Sequence, residues 1–319
     1  MWDGKINQKL GDKRMIVTIA GCGALGSLLA TRLIEGGITV QAFQRMGAQL
    51  EALREKGITI EGDRTGTTRK FRLAAVSDSP SELKPSRLII VAVKSYGTEE
   101  ISPVREILEE DGVVLTIQNG LGNPEKLVSV FGEEKIGAGV TTYGAYTKAP
   151  GVIGWGGDGF FMFGPWKRGL DMTWIEVLLK GAGLNARYVE DPRPAIWQKL
   201  TINAMVNTTS ALTGMSNGEM RKNLHTLDIM KRICKETIVA AGRAGVQIEF
   251  DELWAMHMDN LERTAANKTS MLQDLQAARK TEIDTISGGV LKYAQDGEEF
   301  PFTRAVYALV KAIDASRGY

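Results

Sequence analysis

Met15-Ile16-Val17-Thr18-Ile19-Ala20-Gly21-Cys22-Gly23-Ala24-Leu25-Gly26 runs from a β-branched apolar stretch directly into a GxGxxG pattern. Residues 15–21 read as a buried strand, 24–35 as a helix and 38–44 as a second strand. Strand, glycine loop, helix and strand thus fall within about 30 residues, the spacing of a dinucleotide-binding unit. Each glycine has a separate physical reason. Gly21 permits a tight turn, Gly23 lets a pyrophosphate approach the backbone, and Gly26 lets helix and strand pack closely. The helix N-terminus beyond them offers unpaired N–H groups and a partial positive charge to phosphate. The loop Gly21, Cys22, Gly23, Ala24, Leu25, Gly26 is therefore read as cofactor-binding. Cys22 is read as a small filler in it.

The second strand ends Val40-Gln41-Ala42-Phe43-Gln44-Arg45. NAD-binding units usually carry an acid there, about 20 residues past the glycines, to hold the ribose hydroxyls. None is present, and Arg45 puts a cation where a 2′-phosphate would sit. This favours NADP (NADPH) over NAD, against the alternative of a solvated surface arginine.

Outward from this unit the chain keeps alternating. Further strands are expected at 88–93, 113–118, 135–146, 152–155, 160–163 and 185–189, with a hairpin from 57–60 and 70–76. Helices are expected at 46–56, 98–110, 124–131 and 173–181. Continuous apolar runs bounded by polar residues are the mark of central parallel strands. The alternation predicts an α/β fold with a Rossmann-type doubly wound sheet. After Asp191-Pro192-Arg193-Pro194 the strand-like runs nearly vanish. Helices are expected over 195–212, 226–244, 251–266, 270–280 and 282–295. The expected organisation is an N-terminal extension (1–14), a Rossmann domain (15–191) and an all-α C-terminal domain (192–319) for substrate and dimerisation.

The 319 residues carry 39 Lys plus Arg against 38 Asp plus Glu, a net charge of +1. That balance provides no field to hold nucleic acid or an anionic membrane. The two cysteines, Cys22 and Cys234, and the two histidines, His225 and His257, show no metal-ligand spacing, so no metal is expected. Nothing in the chain asks for a disulfide, and reduced thiols are the reading taken. Lys13-Arg14 and the apolar residues after it resemble a secretory signal, but only residues 15–20 precede the would-be cleavage site, against the ~7–15 apolar residues such a signal needs. No stretch approaches the ~20 apolar residues of a membrane span. A cytoplasmic protein is expected.

Ile196-Trp197-Gln198-Lys199-Leu200-Thr201-Ile202-Asn203-Ala204-Met205-Val206-Asn207 sets Lys199, Asn203 and Asn207 four apart. On a helix they share one stripe, rising about 6 Å per step. Their neighbours are mostly apolar, and polar groups on a buried helix cost free energy unless partnered. A hydroxylated, anionic substrate would supply partners; so would a structural network between helices. This helix alone leaves both readings open.

Taken together, the chain resembles the ketopantoate reductase family over nearly its whole length after the extension. The resemblance is carried, in order, by the glycine loop, Val93-Lys94, Gln118-Asn119-Gly120-Leu121-Gly122, Trp197-Gln198-Lys199-Leu200 with Asn203 and Asn207, Asn217-Gly218-Glu219, Ser270-Met271-Leu272-Gln273-Asp274 and Thr281-Glu282-Ile283-Asp284. It implies NADPH-dependent reduction of 2-dehydropantoate, a small 2-oxo acid, to pantoate on the route to pantothenate and coenzyme A.

It also implies roles. Lys199 would be the general acid and Glu282 a carboxylate serving both the nicotinamide ribose and the active site. Asn203, Asn207, Asn217 and Ser270 would hold the substrate, with Asn119 placed between cofactor and substrate. Lys94, and Ala145 through its backbone, would touch the cofactor. Singly, each has a plain alternative. Lys94 reads also as a solvated loop lysine, Asn119 and Asn217 as turn formers, Ser270 as a helix cap, and Glu282 as a first-turn acid favoured by the helix dipole. Gln118 and Tyr143 depart from some relatives, which bears on substrate detail. A reductase of another branched 2-oxo acid and a non-catalytic NADPH sensor are the competing readings. A homodimer is expected from the apolar helical faces.

Overall fold

The computed structural model describes residues 15–62, 65–297 and 299–319; the expected extension 1–14 lies outside them. Two compact units are present. One comprises residues 15–118 with Asn123–Pro192, the other Asn119–Gly122 with Arg193–Tyr319.

In the first unit, β1 (Ile16–Ala20), α1 (Ala24–Glu35) and β2 (Thr39–Phe43) form the opening βαβ, and α2 (Ala48–Lys56) follows. The remaining strands are β3 (Ile58–Glu61), β4 (Arg69–Phe71), β5 (Val76–Ser77), β6 (Ser86–Val91), β7 (Leu108–Thr116), β8 (Ile136–Thr141), β9 (Gly144–Ala149), β10 (Val152–Gly157), β11 (Phe161–Pro165) and β12 (Ala186–Tyr188). Helix α3 (Asn123–Phe131) precedes β8, and α4 (Thr173–Gly181) precedes β12. An eight-stranded sheet has the order β12-β11-β8-β7-β6-β1-β2-β5. It is parallel from β5 to β8, and β11 runs antiparallel to β8. A smaller sheet, β4-β3-β10-β9, carries the hairpin between β3 and β4. The doubly wound, mainly parallel architecture is the one expected. Its strands are apolar on both faces because helices and sheet layers cover both. Val17, Ile19, Leu88, Ile90 and Leu115 pack with Leu28, Leu29 and Leu33 of α1 in one cluster.

Several local expectations fail for identifiable reasons. Residues 98–110 form a 3₁₀ helix, Glu99–Ile107, that passes straight into β7. Its buried residues Ile101, Val104 and Ile107 recur every third position, the 3₁₀ period, and Pro103 removes a donor an α-helix would need. The single strand expected over 135–146 is two, β8 and β9, in different sheets. The hairpin's return strand stops at Phe71, and β5 instead pairs with β2 at the edge of the large sheet.

The second unit is helical: α5 (Arg193–Ile202), a π turn (Asn203–Asn207), α6 (Thr208–Thr213), α7 (Asn217–Lys222), α8 (Leu224–Arg243), α9 (Phe250–Arg263), α10 (Ser270–Gln276), α11 (Ser287–Leu291) and α12 (Pro301–Ser316). Its core includes Trp197, Leu200, Met205, Ile233, Leu261, Met271, Ile283 and Val310. The helix expected over 282–295 is absent apart from the short α11. Thr281 Oγ1 donates to Asp314 at 2.7 Å and Tyr307 donates to Asp284 at 3.0 Å, holding the segment in turns. The glycine pair Gly288-Gly289 also weakens helix formation there. Two helices, α7 and α12, stand outside the expected set. The first is announced by a capping box, Ser216 with Glu219. Among the described residues, no helix is long and apolar enough to cross a membrane.

Candidate active site

The glycine loop behaves as its pattern predicts. Gly21 has φ +93, and a Cβ there would sit 2.5 Å from the nitrogen of Val93, two residues past β6. A Cβ on Gly26 would press on the Gly21 carbonyl and come within 3.0 Å of Ile19 Cγ2. Gly23 differs, since no protein atom lies within 4 Å of a Cβ built on it. Protein packing therefore does not explain this glycine, while a phosphate backbone drawn against the loop would. No side chain among the described residues caps the N-terminus of α1, so its first N–H groups remain for an anion. The loop fits a dinucleotide.

Two glutamines brace the loop. Gln44 Oε1 accepts from Cys22 N–H at 2.8 Å, and Gln49 donates to the Cys22 carbonyl at 2.7 Å. Gln44 thus spends the strand-end position on the loop, where an NAD-type acid would otherwise project. The Cys22 side chain is fully buried, and burial pushes its thiol up to about 12, which leaves it chemically inert. Cys234 is likewise a free, buried thiol. Arg45 is exposed and lies 3.8 Å from Glu100. Lys94 is half-buried in the turn after β6, where its carbonyl accepts from Gly97 N–H at 2.8 Å. Ala145 lies in β9, paired with Trp155 of β10.

In the helical unit, the expected polar residues form a hydrogen-bonded ladder. Asn207 Nδ2 reaches Ser270 Oγ at 3.5 Å and Asn203 Oδ1 at 3.3 Å. Asn203 Nδ2 donates to Asn119 Oδ1 at 3.3 Å, and Asn119 Nδ2 donates to Glu282 Oε2 at 3.3 Å. Five side chains from four separate segments are thereby linked. Asn203, Asn207 and Glu282 are buried.

Local structure explains how they meet. The Asn203–Asn207 turn is wound as a π turn, which brings i and i+4 closer to alignment than an α-helix does, and π turns concentrate at functional sites. Thr208 and Thr209 hydroxyls bond the Ala204 and Met205 carbonyls within it. Asn119 arrives on a loop docked against the Glu282 turn. Leu121 N–H donates to the Thr285 carbonyl at 2.9 Å, and Gly120, at φ +83, approaches Thr285 too closely for any side chain.

Lys199 lies on α5, one turn before the ladder. It is half-buried, and among the described residues its ammonium has no hydrogen-bond or ion-pair partner. Burial holds its pKa below the ordinary 10.5. Asn217 keeps separate company: Nδ2 donates to Thr264 Oγ1 at 2.8 Å, while its buried Oδ1 has no partner among the described residues. That orphan acceptor suits a ligand hydroxyl. Ser270 does not cap its helix, because Thr269 does so by accepting from Leu272 N–H at 3.3 Å. Glu282 is in a turn, not a first helical turn.

Gln118 donates to the Val93 carbonyl at 3.0 Å and to Thr98 Oγ1 at 2.8 Å, tying the β7 end to the segment after β6. Tyr143 is buried against Phe161 and accepts from Asn185 N–H, so it is a packing residue of its unit. Among the described residues, no cluster of His, Cys, Asp or Glu could hold a metal ion. The π turn, the bracing glutamines and His257 were not singled out from sequence. Only the glutamines carried a signal, as polar residues at a strand end and in the first turn of the next helix.

Fold and loop together define a Rossmann-type, dinucleotide-binding class. Two family profiles match the chain: Ketopantoate reductase PanE/ApbA over residues 17–168, and Ketopantoate reductase PanE/ApbA C terminal over residues 191–314. The 2-dehydropantoate 2-reductase of Pyrococcus horikoshii is 34% identical, covering 95% of this chain and 99% of that protein. Among solved structures, D-mandelate dehydrogenase with NADH and anilino(oxo)acetate superposes with a TM-score of 0.89 at 23% identity, over 96% of this chain and 100% of that one. The 2-dehydropantoate 2-reductase of Geobacter metallireducens gives 0.85 at 25% identity, over 93% and 99%. The chain belongs to the ketopantoate reductase family and is an oxidoreductase.

Proposed function

We propose that the protein is an NADPH-dependent 2-dehydropantoate 2-reductase. The observation that carries this reading is the unpartnered Lys199 ammonium standing beside an amide ladder that ends on a carboxylate. Bound NADPH supplies hydride to the ketone carbon. As that C–H bond forms, the carbonyl pair moves onto oxygen, and the Lys199 ammonium stabilises the developing charge and delivers the proton. A lysine with a pKa lowered by burial gives up that proton more readily than a solvated one.

Asn203, Asn207, Asn217 and Ser270 hold the substrate's hydroxyl and carboxylate. Asn119 orients substrate against cofactor, and Glu282 fixes Asn119 while serving the nicotinamide ribose. The 21–26 loop binds the pyrophosphate, Arg45 the 2′-phosphate, and Lys94 and the Ala145 backbone touch the cofactor. In this reading the sheet-containing unit is the NADPH domain, residues 15–191. The helical unit, residues 192–319, supplies the substrate side chains and a homodimer surface. The enzyme is cytoplasmic and serves pantothenate and coenzyme A formation.

The test is NADPH oxidation measured with a panel of branched 2-oxo acids. Fastest turnover is expected on 2-dehydropantoate. Turnover confined to another acid would reassign the substrate, and NADPH binding without turnover on any acid would make the protein a sensor.

A further inference from the structure

Asp314, on α12, is used by none of the chemistry above. It is fully buried in the last turn of its helix, and that turn carries no basic residue. Among the described residues its carboxylate pairs with no cation and accepts from Thr281 alone, from Oγ1 at 2.7 Å and from the backbone N–H at 3.4 Å. A buried carboxylate at the negative end of a helix costs free energy that a neutral acceptor would avoid. The residue it holds is the chain neighbour of Glu282. We propose that Asp314 is the positioning residue of Glu282: by fixing Thr281 it sets where the Glu282 carboxylate stands, and with it the anchor of the amide ladder. This rests on the reading of the ladder as the substrate site.

The same helix grips the turn beyond Glu282. Tyr307 donates to Asp284 Oδ1 at 3.0 Å, and Lys311 Nζ donates to Asp284 Oδ2 at 3.1 Å. Residues 307, 311 and 314 are four and three apart, so one stripe of α12 holds residues 281 and 284, on either side of Glu282. Within the turn, the Glu282 carbonyl accepts from Thr285 N–H at 3.2 Å, Ile286 N–H at 3.1 Å and the Thr285 hydroxyl at 3.2 Å. The Thr285 carbonyl in turn receives Leu121 N–H from the Asn119 loop. Both partners of the 3.3 Å Asn119–Glu282 bond therefore share one support. Of its two grips, the one on Asp284 is exposed and the one on Thr281 is buried. Water competes for the first and not for the second, so the Asp314 bond is the stiffer. A side chain directs its oxygens well only where the residues around it are themselves held.

The test is a double-mutant cycle read in kcat/KM for the 2-oxo acid turned over fastest. Asp314→Asn keeps the shape and removes the charge. It should lower kcat/KM about tenfold in the wild-type background, the size of one hydrogen bond to a charged group. In the Glu282→Gln background, where the group it positions is already gone, the loss should be about twofold or less. No loss in the wild type, or an equal loss in both backgrounds, overturns the proposal, because a merely structural tie would act alike on both. Should Asp314→Asn fail to fold, Thr281→Val and Thr281→Ser decide in the same cycle. Val should reproduce the loss and Ser recover it, and a Ser variant as slow as Val overturns the proposal. A readout without turnover is the Asn119 side-chain amide in ¹H–¹⁵N NMR. Its resonances should move in Thr281→Val and return in Thr281→Ser; unmoved resonances overturn the proposal. If the wild-type enzyme reduces no 2-oxo acid, the functional reading falls separately, while the Asn119 resonances still decide whether this support reaches the ladder.

Discussion

Asn119 and Glu282 are 163 positions apart in the chain and meet through an amide–carboxylate hydrogen bond of 3.3 Å. Asn119 is held from its other side by Asn203. A primary amide bonded at both ends cannot flip freely, so its orientation is set by the acid at one end and the π turn at the other. The ladder is thus a built arrangement with directed donors, and its parts should fail together.

Asn203→Ala removes the middle rung, taking away the Asn203 bonds to Asn119 and Asn207 and leaving Asn207 Nδ2 with Ser270 Oγ. We expect kcat/KM for 2-dehydropantoate to fall roughly 10–100-fold, the size of one or two lost buried hydrogen bonds. NADPH affinity should stay within a few-fold. Steady-state kinetics beside fluorescence titration checks this, and equal loss on both would remove the ladder from substrate binding.

Lys199→Ala should lower kcat about 10²–10⁴-fold with NADPH binding retained. Because burial depresses the Lys199 pKa, the wild-type alkaline limb should fall below pH 10.5. A pH-independent kcat up to that value would exclude this lysine as the acid.

Gly21→Ala and Gly23→Ala should separate folding from binding. A Cβ at Gly21 meets Val93 and demands a left-handed residue, so that variant should unfold at lower temperature. A Cβ at Gly23 meets no protein atom, so its melting temperature should hold while NADPH affinity drops about tenfold or more. Retained NADPH affinity in Gly23→Ala would contradict the loop assignment.

Arg45→Ala should weaken NADPH more than NADH, by about tenfold at low salt and less at high salt, since the side chain is exposed. Glu100→Gln, which frees Arg45 of its 3.8 Å neighbour, should shift preference toward NADPH. Equal weakening of both cofactors would mean that Arg45 does not read the 2′-phosphate.

Acid should destabilise the protein through His257. Its folded-state pKa of about 4 lies under the ordinary 6.5, so between those values the unfolded chain binds the extra proton. Stability is therefore full above about pH 6.5 and declines as pH falls toward 4, by up to about 3 kcal/mol. Urea unfolding at pH 7, 5.5 and 4.5 should show a shallower decline in His257→Gln. Parallel curves for the two proteins would exclude the histidine as the cause.

Sequence by itself determined the βαβ opening, the parallel sheet and the helical second half, because apolar periodicity and glycine spacing are properties of short stretches, whereas Asn119, Ser270 and Glu282 were named only through the family resemblance. What the local pattern misread followed equally physical lines. Pro103 and a three-residue apolar period turned an expected α-helix into 3₁₀, and the turn holding Glu282 is kept from helix by bonds to Asp314 and Tyr307, residues far along the chain. Only the tertiary structure decided which amides touch and that the Asn203–Asn207 turn is π. Those facts depend on pairings between distant segments, and the energy of a buried polar group is set by the partner it finds there.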